Sequence, residues 1–84
     1  MDTENMIRTL REIYGQEEGM RIFMTIMPGI TADFQKMLRQ AKPDETVEEI
    51  YRVDDRKAVI RMKGKRLPSG ELQMQASAEK QILD

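Results

Sequence analysis

The chain contains neither cysteine nor histidine. Without cysteine there is no disulfide, no thiolate nucleophile and no thiolate-held metal. Without histidine it lacks the commonest metal ligand and the side chain most used for proton transfer near neutral pH. Neither a Gly-x-Gly-x-x-Gly stretch nor a P-loop occurs. Any catalysis would fall to carboxylates, lysine or tyrosine. No apolar run approaches the ~18 residues of a membrane span. The stretch "MDTENMIRTLREIYG" carries acids where a signal peptide would carry an apolar core. The expectation is therefore a non-catalytic protein in the cytoplasm, without cofactor, metal or membrane contact.

What is present fits one small domain. The 84 residues are 39% hydrophobic and 35% charged, with a net charge of -1, so no global field draws polyanions. The size is near the limit where one core gives modest stability.

Residues 1–45 carry a helical period. Met6, Ile7, Leu10, Ile13 and Tyr14 make one stripe after a cap at Asp2 or Thr3, and Gly15 is suited to end that helix. Gly15 and Gly19 could also lie within one bent helix, although helix propensity favours a break at Gly15. A second helix is expected over about 16–27, apolar over a wide arc through Met20, Ile22, Phe23, Met24, Ile26 and Met27. Pro28-Gly29 reads as its end. Thr31 then reads as the cap of a third helix over 31–42, with Phe34, Met37, Leu38 and Ala41 on one face and Pro43 as its stop.

From Thr46 the period becomes two. Strands are expected at about 46–53, 57–66 and 71–79. In the first, Val47, Tyr51 and Val53 share a face; in the second, Ala58, Ile60 and Met62 do. A two-residue turn at Asp54-Asp55 or at Asp55-Arg56 brings both sets to one surface. "LPSGE" has the residues of a type I turn with a bulge at Gly70. That turn pairs Met62 with Ala76 and Ile60 with Ala78. The fold class expected is α+β, in two layers: three N-terminal helices packed on one face of a three-stranded antiparallel meander, as a single domain over 1–84.

The functional readings start from three groups of residues. The first is Met20, Phe23, Met24 and Met27, an apolar surplus that a two-layer domain cannot bury entirely. It points to an adaptable protein-binding face, with a homodimer as the commonest cover. Three methionines on one helix could also ligate Cu(I), but methionine at helical spacing is usually packing. The second group is Lys57, Arg61, Lys63, Lys65 and Arg66, five cations without an acid between them. Alternating Lys and Arg supply the polar face that a one-sided sheet needs; the same residues could meet phosphates. That face offers no aromatic for stacking on bases. The third group is Glu49 with Tyr51 on the inner sheet face, either a pocket or a strand end open to water.

The order helix, helix, "MPGIT", helix, hairpin also resembles a winged helix-turn-helix. "PGIT" is similar to its corner, and the nine residues "DDRKAVIRM" are similar to the wing of MarR-type repressors. The resemblance implies duplex binding by the hairpin 57–66 and by "TADFQKMLRQAK", which would present Asp33, Gln35, Lys36, Arg39 and Gln40. The chain departs from it in adding a third strand. The preferred reading is thus a self-associating interaction or regulatory module. A winged nucleic-acid binder is the alternative, and a small-ligand pocket between helices and sheet is third.

Overall fold

The first stripe forms its helix as its spacing predicts. In the computed structural model, which describes residues 3–53 and 57–81, α1 runs Thr3–Tyr14 and buries Met6 and Leu10. It ends at Gly15, whose φ of 97° is a left-handed value open to glycine. Gly15 separates two helices, so the alternative of one bent helix does not hold.

The expectation of three helices is corrected to two. α2 runs unbroken over Gln16–Gln40, 25 residues with Pro28 inside it. Thr31 is helix interior rather than a cap, and residues 31–40 are the second half of α2. A proline within a helix costs roughly 3 kcal/mol, through its missing N–H and its clash with the preceding turn. What offsets this is burial. Ile22, Met27, Ile30, Phe34 and Leu38 all face the core, and Phe34 and Leu38 are wholly inaccessible. Each such side chain is worth about 1.5–3 kcal/mol on full burial. A break at Pro28-Gly29 would put the two halves of that stripe out of phase. Ile30 carries the phase across, standing three residues after Met27 and four before Phe34.

After α2 the backbone turns through Lys42–Glu45. Pro43 and Asp44 are its middle residues, Asp44 has φ of 64°, and the Glu45 N–H donates to the Lys42 carbonyl at 3.1 Å. That is a type II pattern, with Asp in the place that tolerates a left-handed residue. The strands follow as β1 (Val47–Arg52), β2 (Ala58–Arg66) and β3 (Leu72–Lys80), antiparallel in that spatial order. Met62 stands opposite Ala76 and Ile60 opposite Ala78, as the turn residues imply. At that turn the Leu67 N–H donates to the Glu71 carbonyl at 2.8 Å, and Gly70 has φ of 93°. Of the two registers open for β1 and β2, the structure has the one centred on Asp55-Arg56, with Tyr51 opposite Ile60. The residues of that turn, Asp54, Asp55 and Arg56, lie outside the described residues, as does Asp2.

The result is α+β, a three-stranded antiparallel sheet with two helices on one face. α1 lies on β3, and α2 lies across β2 and β1. Between the layers sit Met6, Leu10, Phe34, Leu38, Ile60 and Met62, all fully buried.

Two glycines permit close approaches in the packing. Gly64 faces inward, and a Cβ there would strike the Gln73 carbonyl and come within 3.2 Å of the Phe34 ring. Gly19 is where the helices touch: a Cβ on it would lie 2.6 Å from both Cα and N of Arg11. Gly29, in contrast, has nothing within 4 Å of a Cβ. The two substitutions should therefore have opposite signs. Gly19→Ala gains about 1 kcal/mol of helix propensity but forces two backbones apart, which costs about 1–3 kcal/mol. Gly29→Ala keeps the gain alone. Urea unfolding is expected to give a lower midpoint for Gly19→Ala and a higher one for Gly29→Ala. A lower midpoint for Gly29→Ala would contradict a continuous α2.

Candidate interaction surfaces

The Met-rich face divides when the helix docks. Met27 is core, only 6% exposed, and Phe23 is half-buried against that core. Met20 is also half-buried, whereas Met24 is 67% exposed. Of the four residues offered as an interaction surface, Met24 alone is exposed. Consecutive residues lie ~100° apart around a helix, so the core-facing arc takes Met27 and leaves Met24 outside. What continues the outer surface is a row through Pro28, which sequence reasoning read as a helix end. Pro28 and Ala32 follow Met24 at steps of four, and both are exposed. Phe23, Met24, Met27, Pro28, Thr31 and Ala32 line a shallow apolar groove there, with Gln35 at its end. Thr25 alongside donates its hydroxyl to the Arg21 carbonyl at 2.6 Å, satisfying that group within the helix.

The five cations do not share one face. Lys57 and Lys63 are exposed, with Lys63 opposite Glu48 on β1 and Gln75 on β3. Arg61 pairs with Glu79 at 3.6 Å across the sheet, an exposed contact worth little. Lys65 stands opposite Gln73. Arg66 is placed apart, because even positions of β2 face the helices. Its guanidinium donates to the carbonyl of Ala41, the C-cap of α2, at 2.5 Å. Its own carbonyl accepts from the Asp44 N–H at 2.7 Å. A cation at a helix C-terminus meets both an unpaired carbonyl and the negative end of the dipole. Arg66 thus anchors the end of α2 to β2.

Tyr51 and Glu49 both face inward, and their polar groups take different partners. The Glu49 carboxylate turns back to accept from the N–H of Ile50 at 3.3 Å. The Tyr51 hydroxyl donates to Asp33 on α2 at 2.7 Å and lies 3.8 Å from the Met37 sulfur. Burial first, and then the Asp33 carboxylate, pushes the Tyr51 hydroxyl well above its ordinary range. A tyrosine acting as base or nucleophile needs the opposite shift. The pair docks α2 on β1. Asp33, which the winged-helix resemblance would offer to DNA, is engaged in this contact. The "PGIT" corner of that resemblance is helical.

Among the described residues no helix is long and apolar enough to cross a membrane, and no three acidic side chains gather as a metal site. The chain matches no protein-family profile, no curated protein and no solved structure.

The different surroundings of these cations predict different responses to neutralisation. Lys63→Gln and Lys65→Gln should each shift stability by less than about 0.5 kcal/mol, as surface changes do. Arg66→Gln should cost about 1–2 kcal/mol, because it removes a charged donor from a partly buried carbonyl. Urea midpoints of the three variants measure this; equal, negligible effects would deny the anchoring role of Arg66.

Proposed function

We propose that this chain is a small non-catalytic interaction module that self-associates through the outward face of α2. The observation that carries the reading is the exposure of Met24 beside an apolar groove, on a helix whose opposite side is fully used by the core. A methionine that remains 67% exposed in so small a domain keeps a large apolar side chain in water. Thioether flexibility lets such a face adapt to what covers it. A net charge of -1 gives two copies little mutual repulsion. A cytoplasmic setting is part of the same reading, since the cysteine-free composition has no need of an oxidising compartment.

The nucleic-acid alternative has less support. Its corner is a helix, Asp33 and Arg66 are engaged within the fold, and the cations left on the sheet face have acids or glutamines beside them. A ligand pocket between the layers has less still, because that space holds the packed core.

One helix face lies at the small end of interface sizes, so the dimer should form at micromolar concentration. Sedimentation equilibrium is expected to show a reversible monomer–dimer equilibrium in that range. Met24→Glu should shift it to monomer with little change in thermal stability, because residue 24 makes no part of the core. A wild type that stays monomeric to hundreds of micromolar would overturn the reading.

A further inference from the structure

We infer that the partner of α2 is α2 of a second copy, running antiparallel about a two-fold axis at Pro28. The inference rests on the self-association reading above and specifies its geometry.

The exposed apolar row of α2, Met24, Pro28 and Ala32, has Pro28 at its middle. At 100° per residue, Met24 and Ala32 flank it by about 40° on either side, and Glu17 and Arg39 by about 20°. Met24, Pro28, Ala32, Glu17 and Arg39 are all exposed. A two-fold axis at residue 28 sets each residue a given number of steps before it against the one the same number after it. The bulky Met24 then meets the small Ala32 of the second copy, twice by symmetry. Thr25 meets Thr31. At the ends, Glu17 meets Arg39. Between them Arg21, paired with Glu18 of its own helix, stands against Gln35 of the second copy. The face is therefore complementary to itself in size at its centre and in charge at its ends.

The parallel arrangement lacks both properties. It would set Met24 on Met24, Glu17 on Glu17 and Arg39 on Arg39, with the two helix dipoles aligned alike. The antiparallel arrangement opposes the dipoles and pairs the charges. At its centre Pro28 has no N–H for the Met24 carbonyl, which leaves an acceptor beside the crossing point. The charged ends lie roughly 16 Å from the axis. Helices crossing at about 20° keep those ends within reach of each other, whereas a crossing near 50° would splay them apart.

The absence of native cysteine makes the test direct, because introduced thiols have no competitor. Met24→Cys mixed with Ala32→Cys should form a disulfide-linked dimer under mild oxidation, and each variant alone should do so far less. Met24→Cys linking to itself as readily as to Ala32→Cys would overturn the antiparallel geometry. Charge reversal gives a second reading at exposed positions outside the core, with thermal unfolding of each variant measuring the helix-dipole cost separately. Glu17→Arg and Arg39→Glu should each weaken the dimer about five- to tenfold at low salt. The double variant should return to within about twofold of the wild type. A double variant no tighter than the single ones would also overturn it. A wild type without any dimer would refute self-association itself, whereas a dimer with the wrong cross-links would refute only this arrangement.

Discussion

One constraint organises the molecule: α2 must keep a single apolar stripe in register with the sheet for its whole length. Ile22, Met27, Ile30, Phe34 and Leu38 are buried on one helix across a Pro-Gly pair that would end most helices. The local penalty is about 3 kcal/mol for the proline and about 1 kcal/mol for the glycine. The buried side chains beyond that point outweigh it, since Ile30, Phe34 and Leu38 together stand for several kilocalories of apolar transfer. Other features serve the same helix. Gly19 lets α1 approach it, Gly64 makes room for Phe34, Tyr51 ties Asp33 to β1, and Arg66 holds the carbonyl of its C-cap residue Ala41.

The outward face is a consequence of that constraint. Because the helix does not break, Pro28 and its neighbours stand on a continuous rod rather than in a corner. The same residues that read as a turn become the centre of an exposed row, between Met24 and Ala32. One side of α2 builds the core and the other is left in water. The proposed function and the folding problem therefore have the same origin in residues 27–34.

Strand positions were more legible than helix ends, for a physical reason. A period of two leaves only two choices of face, and "LPSGE" fixed the second hairpin to the residue. The inward parity of Arg66 and Gly64 was available from the same alternation, although only the docked helix explains what each one meets. Pro28-Gly29 misled because local propensity and long-range burial disagree there. The signal that could have decided it was the spacing of Ile30 from Met27 and from Phe34. The contact between Tyr51 and Asp33 was not legible, since it joins residues 18 apart through the placement of a helix on a sheet. Of the candidate surface residues, Met24 is exposed and Met27 is buried, because a wide apolar arc does not reveal which edge of it the core will take.

The most direct measurement of the central claim is the backbone state of residues 26–32 in solution. Carbon chemical shifts and sequential amide contacts by NMR report it residue by residue. The account predicts helical values without interruption from Ile26 through Thr31, with one amide signal missing at Pro28. Extended or turn values at Gly29 and Ile30, with a new helix beginning at Thr31, would contradict it.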